Sequence, residues 1–344
     1  MRMKSLQLVG LMVLAAATLH GQAVYWSAVP PDCTSLAGES PVAIANSAGT
    51  TIGYSCYVSG TFVWLAAGGG WRSSIRVAAP ASAAIGVDYT FYDTSGNNLT
   101  LDTRFGSGAS ATSGTGVNFA LSANQPAEVA LLGATSGAPQ YGATSTGSVY
   151  AVFYCPDAAT CANVLPQLLY STLPANSWLL SVPISWDTEL WTQWSAEGID
   201  DGGAHRVSLA IYNEDVTATS YTVRVYDGTG SLAGTGTTPV IAPLQSLPDG
   251  SLGEGGTYGA LLSEVISTPL PAGVFKVLVD GGSKYSAVEV LQFDGAAASA
   301  LQVAYDSAPS LRSTLGATSV RRANLRSARV ASTPKLVFSA LKEF

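Results

Sequence analysis

The sequence predicts an all-β protein made of two tandem antiparallel β-sandwich domains. Short runs of alternating apolar and polar residues are separated about every eight to twelve residues by turn-forming Gly, Asn, Asp or Pro, a pattern typical of sandwich strands. One long stretch of the chain recurs later in the same hydrophobic phase. Charged residues make up only 11% of the chain and Gly occurs 36 times, which suits extracellular β-structure rather than disorder.

Residues 1–23 have the layout of a secretory signal peptide. Arg2 and Lys4 precede an apolar run from Leu6 to Leu19, and small and polar residues follow it. A permanent transmembrane helix needs roughly 20 apolar residues, so this run is short for a span, and a retained anchor is the structural alternative. We therefore expect cleavage after Gly21 or Ala23, and a secreted or cell-surface mature chain without a membrane span.

The internal repeat pairs residues 68–96 with residues 202–230 without a gap. Each copy is predicted to contain two strands with one buried face, joined by a loop. Each copy ends in the motif Tyr-Asp-x-x-Gly, with its Asp at Asp93 and at Asp227. The motif is either a ligand loop used twice or a corner of the fold used twice. Asp accepts hydrogen bonds from the backbone that follows it and Gly tolerates positive φ, so the duplication between strands of equal phase favours the corner.

Further along, the two copies are related less regularly. Residues 148–154 resemble residues 286–293, and we align these two apolar strands, with loop insertions accounting for the changed offset. Residues 258–266 have apolar residues at helical spacing and predict a short helix that caps the sandwich edge. The corresponding segment of the first copy, residues 127–133, is ambiguous between helix and strand.

These elements divide the chain into a signal peptide (1–23), a first sandwich (24–165), a second sandwich (175–308) and a basic, flexible tail (309–344). The boundary is placed within residues 163–177, where two prolines interrupt the pattern. Residues 22–310 contain seven basic and 22 acidic residues, a net charge of −15, whereas residues 311–344 have a net charge of +6. Phosphate binding requires clustered cations, so the acidic body excludes nucleic acid as a partner.

Cysteine usage predicts disulfides. In an exported chain an even number of cysteines favours disulfide pairing, and four cysteines allow three connectivities. Proximity in the sequence favours Cys33 with Cys56 and Cys155 with Cys161.

The repeated motifs carry a family resemblance. The segments "GGGWRSSIRVAAP" and "VDYTFYDTSGN", followed by "HRVSLAIYNED" and "YTVRVYDGTG", resemble the tandem immunoglobulin-like β-sandwich modules of uncharacterised exported bacterial surface proteins. The resemblance covers roughly residues 62–306. It implies two immunoglobulin-like domains and a surface location, and it implies no catalytic residue.

No enzymatic activity is predicted, and no residue is assigned a catalytic role. The only histidine after residue 23 is His205, and no Gly-x-Ser-x-Gly motif is present. No cofactor is expected. Structural calcium is the ionic hypothesis, because oxygen ligands lie on turns, although these turns lack the spacing of an EF-hand loop. The candidate ligands are Asp93, Asp227, Asp200 and Asp201.

Three clustered tryptophans leave two functions open. These residues are Trp186, Trp191 and Trp194. If exposed, they could stack on sugar rings. In a sandwich such residues more often fill the core or a domain junction, and we favour this packing role. We expect an exported, non-enzymatic surface structural or adhesion protein whose partner is a cell-surface polysaccharide or protein. The alternatives are a carbohydrate-binding module that uses exposed tryptophans and, third, a secreted hydrolase.

Overall fold

The computed structural model describes residues 24–36, 40–46, 49–68, 70–106, 110–133, 144–172, 177–187, 191–200, 205–246, 253–294, 297–301 and 303–305. The described chain is all-β with several antiparallel sheets arranged as in β-sandwiches, as the sequence predicts. The predicted signal peptide and basic tail lie outside the described residues. We call residues 24–187 the first half and residues 191–305 the second half.

The first half contains two sheets. In sheet 1 the strand order is β1-β2-β9-β4-β7, with β12 also paired to β2; the strands are β1 (Val42–Ala45), β2 (Thr51–Ala67), β4 (Ile85–Asp93), β7 (Gly116–Leu121), β9 (Ser145–Cys155) and β12 (Ser185–Trp186). In sheet 2 the order is β11-β10-β3-β8-β5-β6; these are β3 (Trp71–Ala78), β5 (Leu101–Phe105), β6 (Thr112–Gly114), β8 (Pro126–Gly133), β10 (Gln167–Thr172) and β11 (Ser177–Pro183).

The second half also contains two sheets. In sheet 3 the order is β16-β15-β18-β13-β21; the strands are β13 (Gln193–Asp200), β15 (Thr222–Tyr226), β16 (Leu232–Thr237), β18 (Val274–Asp280) and β21 (Val303–Tyr305). In sheet 4 the order is β17-β14-β19-β20; these are β14 (His205–Asn213), β17 (Thr257–Leu261), β19 (Ser286–Asp294) and β20 (Ala297–Leu301).

Seven strands of each half follow one another and pair in the same way. In the first half the order β2-β9-β4-β7 faces β10-β3-β8, and in the second half β13-β18-β15-β16 faces β19-β14-β17. By this pairing β9 corresponds to β18, so the predicted alignment of residues 148–154 with residues 286–293 is wrong. Two successive apolar strands of similar composition cannot be distinguished by pattern alone. The first half additionally contains β5 and β6, which have no counterpart among the described strands between β15 and β16.

The predicted helix is only one turn long. Residues 257–261 form β17, and the helix α2 (Leu262–Val265) follows, with the Glu264 carboxylate accepting a hydrogen bond of 2.9 Å from the Leu261 N–H. The ambiguous counterpart in the first half is the strand β8. A second one-turn helix, α1 (Ala158–Cys161), begins at Asp157, whose side chain accepts a hydrogen bond from the Thr160 N–H at 2.7 Å.

Each half has a hydrophobic core between its two sheets. Alternation along β4 buries Val87, Tyr89 and Phe91, while alternation along β15 buries Val223 and Val225 in the second core. The first half covers part of the outer face of sheet 4. Leu291 on that face belongs to the core cluster of the first half, so the two halves are packed together rather than separated by a linker.

Two disulfides connect the cysteines in the pairs that sequence proximity favoured. The Cys33–Cys56 bond ties the N-terminal segment to β2, and the Cys155–Cys161 bond ties the end of β9 to α1. Tyr25, at the start of the described chain, is buried against the outer face of sheet 1, where its ring lies over Gly86. Among the described residues, no helix is long and apolar enough to cross a membrane.

Strands β10 and β11, on either side of the predicted domain boundary, both pair within sheet 2, and β12 pairs with β2. Strands β11 and β12 lie within the residues predicted for the second sandwich but pair in the sheets of the first half. Strand pairing alone does not define domain limits, so the predicted limits remain a prediction.

Candidate functional site: a groove present in both halves

The Tyr-Asp-x-x-Gly motifs form two corners with the same geometry. In the first corner (residues 93–97) Asp93 Oδ1 accepts hydrogen bonds from the N–H groups of Ser95 and Asn97 at 2.8 and 2.9 Å. In the second corner (residues 227–231) Asp227 Oδ1 accepts the equivalent bonds from residues 229 and 231 at 2.9 and 3.0 Å. Gly96 and Gly230 both have positive φ, +81° and +84°. The motif is therefore a hairpin corner in each half.

Each corner lies across the sheet from a bulge that is also duplicated. In β2 the register with β9 shifts between Phe62 and Leu65, which leaves Val63 and Trp64 as the bulged residues. In β13 the register with β18 shifts between Ala196 and Ile199, which leaves Glu197 and Gly198. The same sequence offset relates the two bulged pairs and the two corners. A bulge bends its strand, increases the local twist and changes the direction of a side chain.

Bulge and corner together enclose a groove on the outer face of each half. We call the space between the Val63 and Trp64 bulge and the first corner the first groove. The second groove lies between the Glu197 and Gly198 bulge and the second corner. The strand between bulge and corner forms the floor of each groove. Ser148 on β9, which pairs with Tyr92, lies in the floor of the first groove, and Lys276 on β18, which pairs with Tyr226, lies in the floor of the second groove.

The first groove is filled by the second half. Thr257 at the start of β17 donates its N–H to the Thr94 carbonyl at 3.1 Å and its hydroxyl to the Val63 carbonyl at 2.8 Å. The side-chain amide of Gln245 donates to the Gly96 carbonyl at 2.9 Å. A Cβ added to Gly96 would lie 2.7 Å from the Glu254 carbonyl oxygen, so only a glycine fits at this corner.

Apolar packing completes the contact between the halves. Val63 and Trp64 form one cluster with residues of the second half, namely Ala210, Tyr212, Leu244 and Ala287. The indole ring of Trp64 lies over Gly259, where an added Cβ would be 2.8 Å from the ring. Glycine at position 259 therefore makes the space that the large Trp64 side chain occupies.

A buried carboxyl lies at the same junction. Glu289 on the outer face of β19 is only 9% exposed, and burial raises its pKa to about 8. Nearby, the pKa of Tyr170 is raised well above its ordinary value, first by burial and then by Glu289, and its hydroxyl donates to the Trp64 carbonyl. Glu289 is therefore held as the neutral acid near neutral pH.

No described residue of the first half fills the second groove. This groove encloses a cavity of about 510 Å³ lined by both bulged residues, by Tyr226 and Asp227 of the corner strand, and by Val274 and Lys276 of β18. No atom of the described residues lies within 4 Å of a Cβ added to Gly230 or to Gly198. In the first half the position of Gly230 is taken by Gly96, which lies against Glu254, and the position of Gly198 by Trp64, which lies over Gly259. The second half thus presents the same groove without an occupant from the described chain.

The surface of the second groove is amphipathic. Lys276 Nζ and Glu197 Oε1 form an ion pair of 3.0 Å, with the Glu197 side chain 70% exposed. Beside them lie the ring of Tyr226 and the side chain of Val274, which is 55% exposed. Hydrogen bonds from Thr229, through its hydroxyl and its N–H, and from the Ser231 N–H lower the pKa of Asp227. The groove can accept charged and apolar groups together.

The carboxylates that the sequence suggested as calcium ligands are not brought together. Asp93 and Asp227 lie in different halves, and each is engaged by its own corner. Asp200 ends β13, and Asp201 lies outside the described residues. Within the described part of the chain, no group of three or more His, Cys, Asp or Glu side chains could hold a metal ion.

The three candidate sugar-stacking tryptophans are packed to different degrees. Trp194 is 6% exposed in the second core, and its indole N–H donates to the Ser286 carbonyl at 2.8 Å. Trp186 packs on the first core, where its ring makes an edge contact with Phe153, and Trp191 packs on the second core.

Comparison with protein-family models, with curated proteins and with solved structures finds no match to this chain. The two grooves are therefore interpreted from their own geometry.

Proposed function

We propose that the chain is an exported, non-enzymatic structural or adhesion protein of the cell surface, built from two tandem immunoglobulin-like sandwiches. The observation that carries this proposal is the occupation of the first groove by the second half. Hydrogen bonds, the Trp64 contact and a shared apolar cluster fix the two sandwiches against each other. Domains move relative to each other unless their interface is large and apolar, so this contact restricts motion between the halves. A restrained pair of sandwiches suits a load-bearing or partner-presenting surface protein.

The disulfides support an extracytoplasmic location. Both bonds are between buried cysteines, and disulfides persist in oxidising compartments rather than in the cytosol. They agree with the signal-peptide pattern at the N-terminus of the sequence.

The immunoglobulin-like assignment rests on two facing antiparallel sheets with three and four equivalent strands in each half. The strand order departs from the constant-type immunoglobulin pattern at the first, fourth and seventh strands. The seventh strand (β10 or β19) pairs with the second rather than the sixth, and the fourth (β7 or β16) pairs with the third rather than the fifth. The first strand of the seven (β2 or β13) pairs with the sixth (β9 or β18), whereas in that pattern the first strand belongs to the sheet of the second. We therefore propose an immunoglobulin-like sandwich in the broad architectural sense.

Surface labelling tests the cell-surface location on which this function depends. A C-terminally tagged chain would be produced in a bacterium and treated on intact cells with a membrane-impermeant biotin reagent. We expect labelling of the wild-type chain and no labelling of a Leu11→Arg, Leu14→Arg variant, in which the apolar run of residues 6–19 is interrupted. A cytoplasmic marker protein serves as the control for lysis. Wild-type chain that stays unlabelled and fractionates with this marker would contradict the proposal.

A further inference from the structure

The occupant of the first groove has an equivalent elsewhere in the chain. The second half fills that groove with the outer face of sheet 4 at one end, around Ala210 on β14 and residues 257–259 on β17. Strand pairing places Arg76 at the position of Ala210 and Glu128 at the position of Gly259, because Arg76 pairs with Glu128 just as Ala210 pairs with Gly259. The first half thus has the corresponding end of sheet 2.

Among the described residues, this end of sheet 2 has partly exposed side chains. Arg76 and Glu128 form an ion pair of 3.0 Å with side chains 47% and 27% exposed. Leu165, just ahead of β10, occupies the position of the interfacial Ala287 and is 77% exposed. Leu165 is therefore exposed at a position whose equivalent, Ala287, is buried in the contact between the halves.

The two open surfaces are complementary in size. In the contact within the chain a large residue of the bulge, Trp64, lies over a small residue of β17, Gly259. In the open surfaces the sizes are reversed, because the bulge has Gly198 and the β8 position has Glu128. The cavity at the second groove provides the room for that larger side chain.

The charges are complementary as well. The second groove presents Glu197 and Lys276, and the end of sheet 2 presents Arg76 and Glu128. By equivalence with Val63 and Ala210, which share one cluster, Glu197 would face Arg76. Lys276 would then lie on the side of Glu128, so each exposed ion pair can exchange partners across the contact.

We propose that the second groove of one chain binds the Arg76, Glu128 and Leu165 surface of a second copy of this chain, so that copies associate head to tail in the way the two halves associate within a chain. Such a contact joins two different surfaces, and it therefore extends into a filament unless the rotation closes a ring. This inference rests on the proposed surface function, for which it supplies the partner.

Site-directed cross-linking of the purified mature chain tests the contact. A Glu197→Cys, Arg76→Cys double variant would be treated with a short bis-maleimide reagent under conditions that keep the native disulfides intact. We expect a ladder of covalent dimers, trimers and larger species. Each single variant has only one of the two surfaces labelled and should give no ladder. A Val63→Cys, Ala210→Cys double variant is the control for geometry. Because both positions are buried at the junction within one chain, it should give no ladder.

A second measurement does not depend on introduced cysteines. In sedimentation velocity the wild-type sedimentation coefficient should rise with concentration, and Arg76→Glu, which places like charge opposite Glu197, should reduce that rise. Adding Glu197→Lys to Arg76→Glu should restore it. A concentration-independent monomer together with no ladder would overturn the head-to-tail contact.

Two further outcomes separate this inference from its neighbours. In one outcome, added cell-surface polysaccharide protects a Glu197→Cys thiol from alkylation while copies do not cross-link. This outcome would overturn the inference and assign the groove to a sugar ligand. A chain that is biotinylated on intact cells but does not cross-link would overturn the head-to-tail contact and leave the surface function standing.

Discussion

At the residue scale, Gly96 and Gly230 have the same backbone conformation in different surroundings. Both glycines accept positive φ at the end of a corner, but Gly96 is buried against the Glu254 carbonyl while Gly230 is exposed. Any difference between substitutions at these two positions therefore measures the contact between the halves rather than the turn itself.

Alanine at these positions should have unequal effects. Gly230→Ala should cost roughly 1–2 kcal/mol of unfolding free energy, the cost of a left-handed conformation for a residue with a Cβ. Gly96→Ala should cost that amount plus about 1–3 kcal/mol, because its methyl group must displace residues 254 and 255. Urea denaturation of both variants measures the difference, and equal losses would argue against close docking of the first corner.

Glu289 should make stability depend on pH. Its folded pKa of about 8 lies above its unfolded value, so the folded state binds more protons and stability should fall as pH rises toward 8. The limiting slope is about 1.4 kcal/mol per pH unit for one proton. The range from pH 6 to pH 8 is the useful one, because burial raises the pKa of Asp88 only to about 6.

The measurement is the unfolding free energy of wild type and Glu289→Gln across this range. The variant removes the titrating group while keeping its shape, so its curve should be flatter than that of the wild type. Parallel curves would show that Glu289 is solvated and not buried at the junction.

At the scale of elements, periodicity predicted several strands well. The two strands predicted in each copy of the repeat are formed, over residues 71–78 and 85–93 in the first copy and over residues 205–213 and 222–226 in the second. The cysteine pairs that proximity favoured are the observed disulfides. The bulges at Val63 and Glu197 were not predicted. A bulge arises from unequal lengths of two paired strands, and the partners of β2 and β13 lie far along the chain from them. The offset that the bulges share with the repeated corners was the signal that could have located them.

The two disulfides should contribute unequally to stability. The Cys33–Cys56 bond has a sequence separation of 23 and the Cys155–Cys161 bond a separation of 6. Loop-closure entropy gives about 3 kcal/mol for the first and about 2 kcal/mol for the second. Denaturation of two variants, each with one cysteine pair replaced by alanine, would measure this order. A larger loss from the short loop would show that local packing of α1, and not loop closure, dominates.

At the scale of the whole molecule, sequence patterns could not reveal how the halves meet. The contact joins residues as distant as Val63 and Thr257, and no local periodicity reports on a pairing over that separation. The duplicated corners showed that the fold is repeated, but only the structure shows that one copy of the groove is filled and that no described residue fills the other. This difference underlies both the proposed rigid pairing of the halves and the proposed assembly.

Removing the interfacial indole should uncouple the halves. Wild type should unfold in a single transition, because each half contributes to apolar packing in the other. Leu291 of the second half belongs to the core cluster of the first half, and Val63 of the first half belongs to a cluster of the second half. Trp64→Ala should lower stability by at least about 2 kcal/mol and separate the transition into two. Trp26→Ala is the matched control, since Trp26 packs near Gly53 and both residues lie in the first half. A single transition in the Trp64→Ala variant would indicate that the junction does not depend on this contact.

Hydrogen exchange at Gly96 and Gly230 tests the central claim most directly, that the first groove is filled and the second is open. Both amides donate to the Asp carbonyl of their own corner, at 3.0 and 2.9 Å, so their local hydrogen bonds are matched. At low protein concentration Gly96 should exchange at least about tenfold more slowly, which corresponds to roughly 1.4 kcal/mol of added opening free energy. As the concentration rises, Gly230 should become protected. Equal exchange at the two glycines at every concentration would contradict the account.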